Sequence, residues 1–339
     1  MINTLYKLTT PLSIETFCQN LDYDTEQVLV KPEMLSICKA DIRYYFGMRD
    51  AKVLRQRLPL ALIHEACGTV LHDKSGKLKA GDKVILLPNI PGQDTRSGEN
   101  YRLDSRFRSS RADGFMQEMV LLPHSQVVSY DGISGECASI TEFISVGVHA
   151  VGTYLQKIRH QPRRVAVWGD GALGYVVCGL LRYYLPQAHI TVIGVNVTKL
   201  STFQFVDERR TIDELDAGNM WYDDVFECVG GQASGSAISQ MIDTIMPEGI
   251  MTLMGVSEEP VPVNTRMVLE KGLTLIGRSR STREDFEEAA RIMQNNSKFA
   301  GRMAALISEV IPVKNVNDIH KAFNESKIVD FKLVMEWQL

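Results

Sequence analysis

A small set of residues, far apart in the sequence, has side chains that could bind one metal ion. Cys38 lies in "SICKADIRYYFG", the pair His64-Glu65 interrupts the apolar segment "PLALIHEACGTV", and Glu142 precedes an apolar helical pattern. Thiolate, imidazole and carboxylate are ligands that Zn²⁺ accepts, and three protein ligands leave a fourth position open, as in catalytic zinc sites. Spacing alone leaves simpler interpretations open: a buried thiol, a histidine bonded to a carbonyl, and an acid at a helix N-terminus.

A glycine-rich turn follows the strongly apolar segment "RVAVW". It is a G-x-G-x-x-G motif that opens a helical pattern, and its residues are Gly169, Asp170, Gly171, Ala172, Leu173 and Gly174. Such glycines allow a tight turn, close approach of a pyrophosphate and close helix–strand packing. The anion then lies against backbone N–H groups at the helix N-terminus. Because the motif lies between a strand and a helix, it favours a dinucleotide site over a purely structural turn.

The residues beyond the next predicted strand bear on the choice of cofactor. An NAD site usually has Asp or Glu about 20 residues beyond the glycines, where it binds the ribose 2′-OH. Here that position falls near Gly194, and residues 190–206 contain no acid. Asn196, Thr198 and Lys199 could supply donors and charge to a 2′-phosphate, although Lys199 could equally be a solvated surface lysine. The sequence therefore predicts NADPH rather than NADH.

Basic residues occur beside Cys38 and in a separate loop-like segment. Lys39 and Arg43 follow Cys38 closely. The segment "TRSGENYRLDSRFRSSRADGF" contributes Arg96, Arg102, Arg106, Arg108 and Arg111. Guanidinium groups bind phosphate in a bidentate way, so this distribution suits a phosphorylated substrate. A solvated loop whose charges serve only solubility is the alternative.

Composition excludes several classes of protein. The chain has 339 residues, with 45% hydrophobic and 23% charged residues, which is typical of a globular protein of two domains. A net charge of −4 gives no electrostatic case for nucleic acid or an anionic membrane. No apolar run approaches the ~18–20 residues of a membrane span, and no signal peptide is apparent. Six scattered cysteines form no disulfide pattern, so we expect a cytoplasmic protein.

The elements that must position these residues fall into two parts. The first 125 residues contain Val-, Ile- and Leu-rich strands punctuated by Gly and Pro, and residues 139–156 are helical in pattern. Beyond the basic stretch "KIRHQPRR", apolar strands alternate with helices, which predicts a doubly wound parallel sheet. The predicted strands are "RVAVWG", "HITVIG", "DVFECVG", "GIMTLMG" and "LTLIGR".

The order of motifs resembles the zinc-dependent medium-chain dehydrogenases and reductases over essentially the whole chain. The motifs are "ICKAD", "HEACGTV", "GDKV", "GFMQE", "TEFISVGVHA", "VWGDGALG", "FECVGG" and "LMGV". The resemblance implies an α/β protein with a GroES-like, β-rich catalytic domain and a Rossmann cofactor domain. We expect the catalytic domain at residues 1–147 and 283–339, and the cofactor domain at residues 148–282.

The resemblance also implies roles for individual residues. Cys38, His64 and Glu142 match the zinc ligands, Glu65 an acid behind the zinc that can bind it transiently, and Asp41 the acid that orients the ligand histidine. Val229 in "FECVGG", and Gly255 and Val256 in "LMGV", match residues that contact the cofactor in this family.

The chain departs from the family pattern at three places. Ile63 replaces the glycine that usually precedes the histidine, and no cysteine lies between Cys67 and Cys137, where many relatives bind a structural zinc. We therefore expect one catalytic Zn²⁺ per subunit and no structural zinc. Ala40 replaces the hydroxyl that usually relays the proton, so the proton is expected from water, through Tyr44 or Glu65.

A finer resemblance is to the NADPH-dependent ribulose-5-phosphate reductases of teichoic acid and capsule synthesis. The segments "SICKADIRYY", "FRSSRADGFMQ", "WGDGALGY" and "GVSEEPVPVNTRMVLEKGLTLIG" carry it, and "FRSS" makes Arg108 the first candidate for the substrate phosphate. It implies zinc-assisted reduction of D-ribulose 5-phosphate to D-ribitol 5-phosphate, which a cytidylyltransferase would activate to CDP-ribitol. A homodimer or homotetramer is expected.

Three alternatives remain open on the sequence alone. One is an NAD-dependent zinc polyol dehydrogenase that acts on unphosphorylated sugars, and another is a zinc-independent quinone or enone reductase of the same fold. The third is a nucleotide-binding or structural protein without chemistry, which the retention of all three ligand residues disfavours.

Overall fold

The computed structural model describes residues 1–216 and 218–339. They divide into one compact unit formed by Met1–Ser145 with Ser281–Leu339, and a second formed by Val146–Arg280. The first division falls within the helix Thr141–Leu155. Among the described residues, no helix combines the length and apolar character needed to cross a membrane.

Strands and helices are numbered in chain order. The strands are β1 (Ile2–Thr10), β2 (Ser13–Asn20), β3 (Val28–Ser36), β4 (Leu60–Ala61), β5 (Glu65–Asp73), β6 (Lys83–Leu86), β7 (Asn89–Ile90), β8 (Arg106–Phe107), β9 (Val120–Leu122), β10 (Val127–Ser129), β11 (Arg164–Trp168), β12 (His189–Gly194), β13 (Glu208–Thr211), β14 (Asp224–Glu227), β15 (Ile250–Leu253), β16 (Thr274–Gly277), β17 (Ile307–Val313) and β18 (Lys332–Trp337). The α-helices are α1 (Lys39–Tyr45), α2 (Ala51–Arg57), α3 (Gly135–Ser139), α4 (Thr141–Leu155), α5 (Ala172–Tyr184), α6 (Val197–Ser201), α7 (Ala233–Thr244), α8 (Thr265–Lys271), α9 (Arg283–Asn295), α10 (Ser297–Ala304) and α11 (Val316–Glu325).

The first unit is built mainly on antiparallel strands, and β17 pairs with β18 in parallel. Its main sheet has the order β10-β6-β5-β3-β18-β17, with β9 also paired to β3, and a small sheet has the order β2-β1-β4. The C-terminal strand β18 pairs with β3 near its end, where Val334 lies opposite Ser36. The last strand of the chain therefore lies beside the segment that leads into Cys38.

Apolar side chains from both ends of the chain form the core of this unit. Leu8, Val30, Leu62, Phe115 and Trp337 are all buried in one cluster. Removing such side chains from water supplies the main favourable free energy of folding. The segments that carry Cys38 and His64 are therefore fixed to a rigid core.

The second unit contains a six-stranded parallel sheet with the order β13-β12-β11-β14-β15-β16. The strand order changes direction at β11, so β12 and β14 flank it on opposite sides. In such sheets, ligands bind at the carboxyl ends of the strands near this change of direction.

The structure confirms the predicted α/β class with a doubly wound parallel sheet. All five strands predicted in this region form; β11, β12, β14 and β15 are apolar runs that are almost fully buried, whereas β16 lies at the sheet edge and is mostly exposed. The sequence analysis missed β13, whose sequence "ERRT" lies at the sheet edge and is not fully buried. An edge strand with polar side chains gives no apolar pattern to detect.

Candidate active site

Cys38 lies between β3 and helix α1, at the residue that precedes the first turn of the helix. Its backbone is extended, with φ −94° and ψ 154°. The carboxylate of Asp41, one turn later, accepts a hydrogen bond from the backbone N–H of Cys38 at 3.2 Å. The start of the helix thus fixes the position of the thiol.

His64 and Glu65 lie where the chain enters β5. Ile63, which precedes them, has φ +69°, a conformation that is rare for a β-branched residue. Its N–H donates to the Asp41 carboxylate at 3.1 Å, and its carbonyl accepts the N–H of Phe115 at 2.8 Å. These bonds maintain at Ile63 the turn that glycine would adopt more easily.

Cys38, His64 and Glu65 lie together in the folded chain. One candidate ligand atom from each, all within 4.8 Å of one another, forms a group of sulfur, nitrogen and oxygen donors. His64 is 7% exposed and Glu65 is fully buried, whereas Cys38 is partly exposed. This set of donors fits a zinc ion.

Glu142, the predicted third ligand, is not part of this 4.8 Å group. The side chain of Glu142 is nevertheless buried. This burial, with the negative charge of Glu65, raises the pKa of Glu142 to about 7. The positive charge of His64 acts in the opposite direction. Glu142 is therefore buried within electrostatic reach of His64 and Glu65 but lies outside the 4.8 Å group.

Asp41 connects the two ligand segments. Its carboxylate is fully buried and lies 3.4 Å from Nδ1 of His64. Burial acts to lower the pKa of His64, but Asp41 and Cys38 together raise it well above its ordinary value. Ser109 also donates to Asp41, at 2.5 Å. Ser109 was missed from sequence because nothing local marks a hydroxyl that reaches a carboxylate 68 residues away.

Lys332 is a second residue that the sequence analysis missed. Its ammonium group donates to both carboxylate oxygens of Glu65, at 2.5 and 2.7 Å, and lies 4.3 Å from the centre of the Phe143 ring. Lys332 is 5% exposed. The pair joins β5 to β18, and a separation of 267 residues gives no sequence signal.

The residues predicted around Cys38 occupy different environments. Lys39 is exposed, Arg43 is partly buried, and Ala40 is partly buried on the same helix. Tyr44 is 3% exposed within the core cluster, and the guanidinium of Arg49 lies 5.1 Å from the centre of its ring. The proton-relay role of Tyr44 and the phosphate roles of Lys39 and Arg43 stay predictions.

Arg108 lies in a cavity of about 300 Å³ that Leu5 and Gln19 of the N-terminal strands also line. Its guanidinium donates to the carbonyl of Asp113 at 3.1 Å. Burial lowers the pKa of Arg108 to about 10, and the charges that act on it are those of Asp113 and Arg106. None of these groups belongs to the metal-ligand set, so the phosphate role of Arg108 stays a prediction.

Residues 89–107 form a lobe in the region where, by the resemblance, many relatives bind a structural zinc through cysteines. The lobe contains no cysteine. The Asp104 carboxylate accepts the backbone N–H groups of Gln93 at 2.7 Å and Asp94 at 3.3 Å, and Arg102 donates to the carbonyl of Gly92 at 2.8 Å. Hydrogen bonds therefore cross-link this lobe.

In the second unit, the glycine-rich turn connects β11 to α5 as predicted. Gly171 precedes the first turn of the helix and has an extended backbone; apart from its chain neighbours, no atom of the described residues lies within 4 Å of the position a Cβ would occupy. At Gly174, a Cβ would lie 1.9 Å from the carbonyl oxygen of Gly169. The turn is thus closed tightly at Gly174 and open at Gly171, where an anion could approach the helix N-terminus.

Asp170 connects this turn to the loop after β12. Its carboxylate accepts the backbone N–H groups of Val195 at 2.8 Å and Asn196 at 2.7 Å. The side chain of Asn196 in turn accepts the N–H of Lys199 at the start of α6. The predicted contacts Gly194, Asn196, Thr198 and Lys199 therefore follow one another at the end of β12, in the connection to α6 and in the first residues of α6, and Asp170 joins the glycine-rich turn to this connection.

Glu227, which the sequence analysis did not single out, ends strand β14. Its carboxylate accepts the N–H groups of Val229 at 2.8 Å, Gly230 at 3.0 Å and Gly255 at 2.7 Å, and the hydroxyl of Ser234 at 3.1 Å. Val229, Gly255 and Val256, predicted as cofactor contacts, lie on the two loops that it joins. The "FEC" triplet gave no hint that this acid is buried.

Two consecutive segments of the chain match known protein families. Residues 24–132 match the alcohol dehydrogenase GroES-like domain, and residues 135–337 match the glucose dehydrogenase C-terminus. The chain is 44% identical to the ribulose-5-phosphate reductase of Streptococcus pneumoniae, covering 100% of this chain and 98% of that protein. It is 43% identical to ribulose-5-phosphate reductase 1 of Staphylococcus aureus, over 99% of both proteins.

Solved structures agree with these matches. The crystal structure of S. aureus TarJ in complex with NADPH superposes with a TM-score of 0.90, at 39% identity and with 100% of both chains covered. The GroES-like domain with its group of sulfur, nitrogen and oxygen donors, together with the doubly wound parallel sheet, defines a medium-chain dehydrogenase or reductase. The chain belongs to this family, within the group of the ribulose-5-phosphate reductases. The predicted family is thereby confirmed.

Proposed function

We propose that the protein catalyses the NADPH-dependent reduction of D-ribulose 5-phosphate to D-ribitol 5-phosphate. Full-length identity of 44% to a ribulose-5-phosphate reductase is the observation that carries this proposal. The metal-ligand residues and the glycine-rich turn are both present in the folded chain, which supports an active enzyme rather than a protein that has kept only the fold.

The first unit would hold one catalytic zinc ion through Cys38, His64 and Glu142, with Glu65, grouped with Cys38 and His64, as the acid that can bind the ion transiently. When bound, zinc would polarise the ketone of the substrate and NADPH would supply the hydride. Asp41 orients the ring of His64 through Nδ1. The cross-linked lobe at residues 89–107 supports the proposal that no structural zinc is needed.

The second unit would hold NADPH along the carboxyl edge of its sheet. The turn from Gly169 to Gly174 would bind the pyrophosphate at the N-terminus of α5. The segment from the end of β12 into α6, with Gly194, Asn196, Thr198 and Lys199, would bind the adenosine 2′-phosphate, since no acid there repels it. The nicotinamide half of the cofactor would be contacted by Val229, Gly255 and Val256.

The substrate phosphate would be bound by basic residues, with Lys39, Arg43 and Arg108 as the proposed contacts. The exposed Lys39 and partly buried Arg43 follow the ligand Cys38 directly on α1. Because Ala40 has no hydroxyl, the proton delivered to the product oxygen would come from water, with Tyr44 or Glu65 as relay. Unchanged turnover and pH dependence in Tyr44→Phe would exclude Tyr44 from that role.

The proposed function is tested by following NADPH oxidation with D-ribulose 5-phosphate and with D-ribulose. We expect turnover of the phosphorylated sugar and a much lower kcat/KM for D-ribulose. Equal rates with both sugars, or a preference for NADH, would instead indicate a polyol dehydrogenase. Retained activity in protein stripped of metal by a chelator would indicate a zinc-independent reductase.

The zinc ligands are tested by Cys38→Ala, with Cys18→Ala as the matched control. Cys18 is an exposed free thiol in the same unit. Cys38→Ala should lose bound zinc and turnover while it still binds NADPH, and Cys18→Ala should keep all three. Full zinc content in Cys38→Ala would refute the assignment.

Three further expectations are part of the proposal. They are a cytoplasmic location, assembly into a homodimer or homotetramer, and a cytidylyltransferase that takes the product on towards teichoic acid or capsule synthesis.

A further inference from the structure

The buried carboxylate of Glu227 has an unusual set of partners. It is 1% exposed, and it accepts four hydrogen bonds: three from backbone N–H groups and one from the Ser234 hydroxyl. Hydrogen bonds to an ionised acceptor are about twice as strong as those between neutral groups. Glu227 is therefore the main polar connection among the segments that surround it.

These segments are the loops after two neighbouring strands, β14 and β15. Glu227 lies opposite Leu253 in the parallel register, so both loops begin at the same edge of the sheet. A direct bond from Gly231 N–H to the Val256 carbonyl, at 2.9 Å, also joins the loops. At Gly255, a Cβ would lie 2.4 Å from both the Glu227 carboxylate and the Gly230 nitrogen, so the packing leaves no free space.

The same edge carries the glycine-rich turn between these loops and the loop after β12. Strand β11 lies between β12 and β14, and Gly169 contacts the carbonyl of Cys228 closely enough that a Cβ would lie 2.7 Å from it. A dinucleotide whose pyrophosphate lies at the N-terminus of α5 would extend to both sides of β11. With the adenosine ribose on the β12 side, the nicotinamide half falls on the β14–β15 side.

Two apolar side chains on these loops are exposed. Val229 is 38% exposed and Val256 is 60% exposed, although each lies beside a backbone group held by the Glu227 network. Exposed apolar groups on a tightly fixed backbone suit a flat, partly apolar ring such as nicotinamide.

We propose that Glu227 is a positioning residue for the nicotinamide half of the cofactor. The inference rests on the proposed function, because it takes NADPH as the ligand. Glu227 does not touch the cofactor; it holds the two loops at a fixed separation so that their backbone and valine side chains meet the ring. In Glu227→Gln, an NH₂ group would replace one acceptor oxygen and face backbone N–H donors, so the loops would separate.

The test compares two ligands in Glu227→Gln: NADPH, and adenosine 2′,5′-bisphosphate, which contains only the adenosine half. We expect NADPH affinity, measured by fluorescence titration, to fall about 10- to 100-fold, as the loss of bonds to a buried carboxylate implies. Affinity for the bisphosphate should stay within about twofold of wild type, since Asp170 and the β12 loop are unchanged.

Asp224→Asn is the matched control, because Asp224 lies at the other end of the same strand. Its buried carboxylate also accepts a backbone N–H, that of Ile250 at 2.7 Å, and the hydroxyl of Tyr154 at 2.8 Å. A general loss of stability in the unit would affect both variants. Only Glu227→Gln should separate the affinities for NADPH and the bisphosphate. If Glu227→Gln does not fold, Glu227→Asp keeps the charge and shortens its reach, and it should show the same selective loss.

Each outcome bears on the proposal. Unchanged NADPH affinity in the variants, or an equal loss for both ligands, would overturn the positioning role while leaving the proposed function intact. Failure of the wild-type protein to bind NADPH at all would overturn both.

Discussion

Two glycines of the turn after β11 should respond differently to replacement by alanine: one replacement should lower stability, and the other should weaken NADPH binding. At Gly174, the new Cβ would lie 1.9 Å from the carbonyl oxygen of Gly169 and 3.0 Å from its carbonyl carbon. At Gly171, where φ is −88°, nothing lies within 4 Å of the new Cβ. The first methyl group collides with protein; the second enters the space that we assign to the cofactor's pyrophosphate.

The expected magnitudes follow from these distances. Because the Gly174 contact falls far short of a van der Waals separation and involves backbone, we expect Gly174→Ala to cost about 1–3 kcal/mol, or roughly 2–10 °C in Tm. In Gly171→Ala, the reduced entropy of the unfolded chain stabilises by about 0.4–1 kcal/mol, and the poorer N-cap offsets most of it. Its Tm should therefore stay near the wild-type value, while NADPH affinity falls by about tenfold or more.

The assay is thermal unfolding of the ligand-free proteins, combined with fluorescence titration of NADPH. Gly171→Ala should separate the two measurements, with unchanged stability and weakened binding. If Gly171→Ala bound NADPH with wild-type affinity, the assignment of the turn as a pyrophosphate site would be refuted. If Gly174→Ala melted at the wild-type temperature, the close packing argued for the turn would be wrong.

Three further effects are expected on stability. Lys332→Met leaves the Glu65 carboxylate buried without its cation and should lower the free energy of unfolding of the zinc-free protein by about 3–5 kcal/mol in urea denaturation. Asp104→Ala removes the acceptor for two backbone N–H groups, so hydrogen exchange at residues 92–105 should become faster. Burial acts to raise the pKa of Asp73, but hydrogen bonds, from His124 first, hold it well below the ordinary value. Asp73 therefore stabilises the fold above about pH 4 and loses that effect as the pH falls towards its folded pKa, so Asp73→Asn should cost less stability at about pH 2 than at pH 6.

Each of these effects has a control. In Lys332→Met, adding Glu65→Leu removes the unpaired charge and should restore part of the lost stability; no recovery would show that Lys332 acts only through packing. Unchanged exchange in Asp104→Ala would show that other contacts hold the lobe. For Asp73→Asn, a stability difference independent of pH would contradict the lowered pKa.

Much of the framework could be predicted from local sequence. The β11–turn–α5 unit follows from an apolar run and from glycines whose spacing has a steric reason. Cys38 and His64 could be proposed because their donor types suit one ion, although only the fold brings them together.

Other features of the sites depend on contacts between distant segments. Lys332 meets Glu65, and Ser109 meets Asp41, through pairings that no local pattern specifies. Glu227 resembles any acid at the end of a strand until four donors are seen to surround it. In each case, the tertiary structure decides whether a polar residue is solvated or buried.

The central claim is hydride transfer from NADPH to the ketone of D-ribulose 5-phosphate. It is tested most directly with NADPH that carries deuterium at both hydrogen positions of nicotinamide C4, followed by NMR of the sugar product. We predict D-ribitol 5-phosphate with deuterium at C2, formed by the zinc-containing protein and not after removal of the metal. D-ribitol 5-phosphate without deuterium at C2, or an unreduced sugar in the presence of zinc, would contradict the account.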